Sequence, residues 1–298
     1  MSQSLETYKR AVVACFVFAT AALLSGQQRL PADSNELVRA VVGNEVQSGK
    51  NDQTRWMYRL QRQEGGKETV REVVETKDCD VYLLLASDGT ALTPAEREKE
   101  NERLQKLVGD PQEQRKKKHD QQEDDHKAVD MFKMLPDAFL YQYHGSRGPL
   151  VELTFRPNPD FRPPSREAQV FHGMEGSMLV DAEKKRLVEL DGHLAQEVEF
   201  FGGLLGHLDK GGRFVVKRAD VGQGHWAITE LTVEMNGKAL IFKSVNLRQV
   251  DLMTEFRPLP ADLNAARAVD ILRGPDFGQI AVRELANGSK NPGDGVAR

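Results

Sequence analysis

Alternating apolar and polar positions along most of the chain predict β-strands. Val151, Leu153 and Phe155 alternate with Glu152 and Thr154, a two-residue period that turns one face of a strand toward a core. Turn residues separate further segments of this kind at short intervals, and strands joined by such short turns pair as an antiparallel meander. In this half of the chain, strands are predicted over residues 138–144, 150–155, 168–173, 177–181, 186–190, 194–201, 213–219, 225–235 and 238–249.

Three more strands are predicted nearer the N-terminus. The segment TRWMYRLQRQ places Trp56, Tyr58 and Leu60 on one side of a strand, and Gly65-Gly66 turns the chain into KETVREVVET. The segment CDVYLLLAS follows as a third strand and ends at the turn Asp88-Gly89. The first two strands therefore form a predicted hairpin.

Helical periodicity is confined to three parts of the chain. Ser34 is a plausible N-cap for an amphipathic helix over 35–48. Residues 94–135 are highly charged and lack strand alternation, and Gly109-Asp110-Pro111 divides them into two helices. A last amphipathic helix is predicted over 262–272.

These elements predict an α+β fold. A meander of about twelve strands twists strongly, and open flat sheets of that size are uncommon. We therefore expect the sheet to curl into an incomplete barrel, with helices over its concave side. The charged helical insertion 94–135 interrupts this layout. The predicted organisation is a signal peptide at 1–26 with an uncertain cleavage site, one curled-sheet domain at 27–275 and a flexible tail at 276–298.

The N-terminus indicates export. Lys9 and Arg10 precede the apolar run 11–24, which is the layout of a secretory signal and is shorter than a membrane-spanning helix. An exported location such as the periplasm is expected, without a transmembrane helix in the mature chain, and an uncleaved anchor is the alternative. The formal net charge of −4 gives no basic excess for nucleic acid, so that partner is not expected.

Motifs that would carry chemistry are missing from the sequence. The seven histidines form no H-x-x-x-H or H-E-x-x-H pattern, and Cys79 alone remains after signal removal. His207 beside Asp209 is interpreted as a chance surface pairing, and the tract around His119 and His126 as a solvated helix face. We therefore predict no enzyme activity, no cofactor, no metal site and no catalytic residue.

A ligand cavity is predicted instead. In HWAITELTVEM both faces of the strand carry apolar residues, and apolar surface beyond what the helices cover would line a hollow. The candidate lining residues are Trp56, Tyr58, Phe155 and Trp226. The alternative is that each of these aromatics packs in the core.

The layout resembles a known family. With an N-terminal helix, hairpin strands from RWMYR and a long antiparallel run that includes MEGSMLVDAEKKRLVELDG, the chain resembles the LolA/LolB-type half-barrel of periplasmic lipoprotein carriers. The segments FRPNPDFRPPSREAQVF and FRPLP are also similar to uncharacterised exported bacterial proteins of this outline. The resemblance implies a carrier or sensor that shelters acyl chains.

Two functions were considered on this basis. The first is an exported, non-enzymatic binding protein that holds a lipid, a lipoprotein acyl chain or another apolar ligand, with membrane contact possible. The second is an envelope interaction protein that binds a protein partner through the charged arm 94–135.

Overall fold

One antiparallel sheet organises the chain. The computed structural model describes residues 30–200, 206–239 and 243–274, and within these ranges the sheet has 13 strands. The strands are β1 (Arg55–Glu64), β2 (Lys67–Val74), β3 (Val81–Ser87), β4 (Thr90–Ala91), β5 (Phe139–Arg147), β6 (Leu150–Pro157), β7 (Met174–Asp181), β8 (Arg186–Leu194), β9 (Val198–Glu199), β10 (Gly206–Leu208), β11 (Arg213–Asp220), β12 (Trp226–Ala239) and β13 (Lys243–Leu259). The α-helices are α1 (Ser34–Asn51), α2 (Pro94–Gly109), α3 (Pro111–Ala138) and α4 (Ala265–Arg273), and a 3-10 helix spans Glu167–His172.

The strand order is β4-β3-β2-β1-β13-β12-β11-β8-β7-β6-β5, and the short strands β9 and β10 join the sheet through β12. Because β4 and β5 lie at opposite ends of this order, the sheet is not closed into a barrel. The structure confirms the predicted α+β fold with an open antiparallel sheet and a helical insertion. This architecture is compatible with the layout of the LolA-type half-barrel.

The sheet curls toward helix α3. Nine strand spacings separate β3 from β5, and a flat sheet would hold these strands about 43 Å apart. Gln121 of α3 contacts Asp80, which directly precedes β3, and the helix then runs to Ala138, directly before β5. That stretch of helix is only about 26 Å long, and the side chains beside it add roughly 10 Å. The sheet must therefore bend, with its concave face toward α3.

The main apolar core lies on the concave face, over β5 to β8. Leu153, Met178 and Leu190 are successive cross-strand partners on this face, and all three are buried. The residues of α1 and α3 in the same cluster are Leu37, Val38, Val41, Val42, Leu135 and Ala138. The helical spacing of these positions explains why both helices turn one stripe toward the sheet.

A second apolar cluster lies on the opposite face. Cross-strand partners link Leu190 to Arg62, which places Arg62 on the concave face. Met57 lies five residues earlier in the same strand and so points to the other face, together with its cross-strand neighbours Val74 and Val81. Helices α2 and α4 and the turn before α4 cover this cluster and contribute Leu104, Leu107, Leu263, Ala265, Ala268, Val269 and Leu272.

Side chains from helices cover part of β3, outside the stretch that pairs with the two-residue β4, and part of the outer strand β5. Arg103 of α2 donates a hydrogen bond to the carbonyl of Tyr82 in β3 at 2.5 Å. Ser34 of α1 donates one to the carbonyl of Tyr141 in β5 at 2.7 Å. Near each end of the sheet, a side chain on a helix therefore donates a hydrogen bond to a strand carbonyl that could otherwise bind a further strand.

Some predicted elements were wrong. The predicted strand 168–173 is the 3-10 helix, which follows the proline-rich segment 156–165. The predicted strand 194–201 is reduced, within the described residues, to the two residues of β9. The predicted signal peptide 1–26 and the tail 276–298 lie outside the described residues.

The turn signals Asp191-Gly192 and Asn236-Gly237 predict breaks between strands, but both pairs lie inside strands. Gly192 is in β8 and Gly237 is in β12. A Cβ atom at Gly237 would lie 2.1 Å from the carbonyl oxygen of His207 on the neighbouring strand. Glycine is therefore required there by the close approach of another strand, and the local sequence alone could not distinguish this from a turn.

Candidate functional site

A cavity of about 560 Å³ lies on the concave face of the sheet. It is bordered by the C-terminal end of α1, the start of β1, the connection between β2 and β3, the middle of α3 and the adjoining ends of β8, β11 and β12. Charged side chains from most of these elements line it, and β12 contributes Trp226. The cavity therefore lies beside the main apolar core on the same face of the sheet.

One wall is an ion-pair cluster around Glu45 of α1. Glu45 accepts hydrogen bonds from the guanidinium of Arg186 at 3.0 Å and from the backbone N–H of Leu187 at 2.9 Å. The Arg218 guanidinium approaches the same carboxylate at 2.5 Å. Glu45 lies on the same buried face of α1 as Val41 and Val42 and is only 7% exposed. Its carboxylate therefore holds the C-terminal half of α1 against β8 and β11. One carboxylate therefore faces two guanidiniums, and this wall carries a formal charge of +1.

The central wall holds a carboxylate and an imidazole in contact. The Asp52 carboxylate contacts Nδ1 of His225 and accepts a hydrogen bond from the Thr54 N–H at 2.8 Å. Burial acts against ionisation of Asp52, but the hydrogen bonds from Thr54 and His225 outweigh it and lower the pKa of this carboxyl. The Trp56 ring stacks on His225 with the ring centroids 4.5 Å apart. Trp226, next to His225 in the chain, also lines the cavity.

The third wall is acidic. Glu75 follows β2, Asp80 precedes β3 and Asp125 lies in α3. Burial and the charge of Asp80 raise the pKa of Glu75 to about 7. Burial also raises the pKa of Asp80, and burial together with the charge of Asp124 raises the pKa of Asp125. Three carboxyl groups with raised pKa values in one cavity are typical of a binding or catalytic site.

These three carboxylates have few partners. Glu75 accepts a hydrogen bond from the Trp56 N–H at 3.0 Å, and Asp80 accepts one from the Gln121 amide. Ion pairs of the cavity wall join Glu45 to its two arginines and Asp52 to His225. Throughout the described ranges, no lysine or arginine lies within ion-pair distance of Glu75, Asp80 or Asp125, although the charge of Arg55 in the same lining acts to lower the pKa of Glu75 and Asp80. The acidic wall therefore has net negative charge when its carboxyls are ionised.

The acidic wall does not converge on a single point. In the part of the chain that the structure describes, three metal-ligating side chains bring their ligand atoms within 4.8 Å of one another only at Glu197, His207 and Asp209. That cluster lies outside the cavity lining. The three cavity carboxylates are therefore spaced for a ligand that is larger than one ion.

The four predicted lining residues lie in different places. Trp226 lines the cavity, and Trp56 lies behind the wall, stacked on His225. Tyr58 stacks on Phe256, with the ring centroids 5.3 Å apart. Phe155 is in the main core, against Phe139, with the ring centroids 4.7 Å apart. The structure thus brings Trp226 to the cavity, places Trp56 behind its wall and places Phe155 in packed apolar surroundings.

The charged residues of the cavity were not predicted as site residues. Glu45 does carry a signal in the sequence, since it occupies a buried position of an amphipathic helix. Asp125 does not, because it lies in a tract that was interpreted as a solvated face, and Asp125 is itself exposed although it borders the cavity. His119 agrees with that interpretation, as its side chain is 71% exposed.

No helix in the described ranges is both long enough and apolar enough to cross a membrane. Comparisons of the chain with models of protein families, with curated proteins and with solved structures give no match.

Proposed function

We propose that the chain is an exported, non-enzymatic binding protein whose cavity holds a small organic cation with more than one positive group. One observation carries this proposal: five carboxylates and three arginines line a cavity of about 560 Å³, and in the described ranges no ion pair joins a basic side chain to Glu75, Asp80 or Asp125. A cationic ligand would supply the missing counter-charge. It would also favour the ionised form of carboxyls whose pKa is raised in the ligand-free protein.

The size and shape of the cavity favour an organic ligand over a metal ion. The volume is in the usual range of small-molecule sites, roughly 300 to 1,000 Å³. The carboxylates are too widely spaced to ligate one ion together. Trp226 adds an aromatic ring, and Lys184 Nζ already lies 5.6 Å from its centroid, so a cation is compatible with this wall.

The sequence suggested an apolar ligand, which we compare with the cationic ligand proposed here. The apolar part of the concave face is packed beneath α1 and α3, where Phe155 is 4% exposed. The cavity itself is lined by ion pairs and carboxylates, which would be costly to desolvate against an acyl chain. A polar ligand therefore fits this hollow better than a lipid does.

Export and a LolA-like origin belong to this proposal. Export is supported by the basic residues and apolar run at the N-terminus, and the LolA-like origin by the open antiparallel sheet. Expression of the full chain in a bacterium, followed by N-terminal sequencing of the periplasmic fraction, tests export. A product that starts near residue 27 is expected, and a chain that stays whole in the cytoplasm would contradict it. The adaptor function of 94–135 stays a prediction.

Isothermal titration calorimetry with spermidine as the probe tests the ligand class. We expect saturable 1:1 binding to the wild-type chain at low ionic strength. Glu75→Gln and Asp125→Asn should each weaken it by about tenfold or more, because each removes a charge that faces the ligand. Asp124→Asn is the matched control, since the Asp124 side chain is 82% exposed on the same helix.

Two outcomes would contradict the proposal. One is a loss of affinity in Asp124→Asn equal to that in Asp125→Asn, which would indicate diffuse attraction to an acidic helix. The other is binding of laurate in a parallel titration without binding of spermidine, which would support the acyl-chain hypothesis.

A further inference from the structure

The hairpin of β9 and β10 carries a second cluster of ligating side chains. Leu208 pairs with Val198 in antiparallel register, so Asp209 lies opposite Glu197 at the next position. His207 and Asp209 are two residues apart and share one face of the ladder. The backbone alone therefore brings an imidazole and two carboxylates to one side of this hairpin.

The distances within the cluster suit a small metal ion. His207 Nε2 and Asp209 Oδ1 are 3.2 Å apart, and one ligand atom from each of the three side chains lies within 4.8 Å of the others. Zinc bonds to nitrogen and oxygen of roughly 2.0 to 2.2 Å place neighbouring tetrahedral ligands about 3.4 Å apart. Two ligands already have nearly this separation, and the third needs only a small side-chain rotation.

The backbone that carries two of these ligands is held on both sides. Strand β10 lies between β9 and β12. The Asp209 N–H donates a hydrogen bond to the Asn236 carbonyl at 2.8 Å, and Gly237 approaches the His207 carbonyl so closely that a Cβ atom there would clash. Little backbone ordering is therefore needed when an ion binds, which favours binding by three side chains.

We propose that Glu197, His207 and Asp209 bind a divalent transition-metal ion, and Zn²⁺ fits this mixture of imidazole and carboxylate ligands. Solvent completes the coordination sphere, because Glu197 is exposed and the Asp209 side chain is 50% exposed. Lys238 is the cross-strand partner of His207 on β12, and its charge opposes the ion. The proposal uses no residue of the cavity and is independent of the proposed function.

Calorimetry of the full chain, stripped with a chelator and titrated with ZnCl₂, tests the site. We expect one Zn²⁺ per chain with micromolar affinity. His207→Ala should weaken binding by about tenfold or more, Glu197→Gln and Asp209→Asn should each weaken it, and Lys238→Ala should strengthen it. Zn²⁺ should also raise the unfolding temperature of the wild-type chain and leave that of His207→Ala unchanged.

The matched control is a histidine that pairs with one carboxylate only. His193 Nε2 lies 3.4 Å from Glu175 Oε1 on the same sheet, and no third ligand joins this pair within the described ranges. His193→Ala should keep the wild-type affinity for Zn²⁺. Equal losses in His193→Ala and His207→Ala would overturn the proposal, as would unchanged binding in Glu197→Gln or absence of binding in the wild-type chain.

Discussion

The two halves of the concave face have opposite chemistry although they belong to one sheet. Over β6 to β8 a cross-strand row consists of Leu153, Met178 and Leu190. Continued across the sheet, the same row passes through Val216 and Leu231 and reaches the ion pair of Asp251 and Arg62, whose bidentate contacts are 2.7 and 2.8 Å long. The apolar half is filled, and the charged half adjoins a cavity.

The covering helices account for this difference. The end of α3 brings buried Leu135 and Ala138 to the apolar half. The middle of the same helix brings Gln121 and Asp125 to the cavity, and polar side chains cannot fill a hollow without losing water. The comparison teaches that the composition of the covering helix, more than that of the strands, decides where the concave face is packed and where it stays open.

The apolar half should be the main source of stability. Phe139→Ala should lower the free energy of unfolding by about 3 to 5 kcal/mol, because it leaves a cavity among packed aromatic rings. Urea denaturation monitored by circular dichroism measures this loss. Val129→Ala is the control on α3, since Val129 is 37% exposed, and it should cost less than about 1 kcal/mol. Similar losses for both variants would contradict the division of the face.

The ion-pair wall should be the next most sensitive region. Glu45→Ala leaves Arg186 and Arg218 without their shared partner and should lower the free energy of unfolding by about 3 kcal/mol. Glu45→Gln keeps an acceptor for the Leu187 N–H and should lose less. Both are measured by urea denaturation at neutral pH. A loss below about 1 kcal/mol in Glu45→Ala would show that α1 is held by its apolar stripe alone.

The acidic wall should make stability depend on pH. The pKa of Glu75 is raised from 4.5 to about 7 in the folded chain, so the folded state binds this proton more tightly than the unfolded state does. Its contribution is therefore complete below pH 4.5 and is lost as the pH rises through about 7. Glu75→Gln should unfold at a higher temperature than the wild type at pH 8, and this advantage should vanish at pH 4.

Glu96 is a control of opposite sign for this measurement. Its hydrogen bonds with the Thr93 side chain and backbone lower its pKa, so its contribution is present above the unfolded-state pKa and is lost as the pH falls through the folded-state value. Glu96→Gln should therefore lose stability at pH 8. An identical response of both variants would contradict the assignment of the pH dependence to the cavity wall.

The smallest effect is expected when the charged half is made apolar. The double replacement Arg62→Leu and Asp251→Leu removes both charges together, so it should change the free energy of unfolding by less than about 1 kcal/mol. Asp251→Leu alone should cost about 3 kcal/mol or more, because Arg62 then lacks a partner in a site where Asp251 is 1% exposed. A double-mutant cycle in urea measures the difference, and additive losses would contradict it.

Local signals explain why most of the fold could be predicted from the sequence. The break at Gly109-Asp110-Pro111 predicted the two helices of the insertion, and in the structure they meet at Gly109 and Pro111. Strand alternation identified β5 to β8 in the same way. Gly192 and Gly237 were misassigned because their role depends on a neighbouring strand that the local sequence does not show.

The site was harder to predict because its residues meet over long separations in the chain. Asp52 and His225 are 173 positions apart, and Asp80 and Gln121 are 41 apart. In the sequence, Asp125 belongs to an ordinary charged helix. It becomes a cavity residue only because the sheet curls beneath that helix.

The occupied margins of the sheet have a consequence for self-association. Wide β-sheets readily recruit further strands through free backbone groups at their borders, which leads to fibrils and exchanged segments. Here Arg103 and Ser34 already use the carbonyls of Tyr82 and Tyr141. Another chain must first displace these helix side chains to add a strand at Tyr82 or Tyr141, so strand exchange is hindered at these two positions.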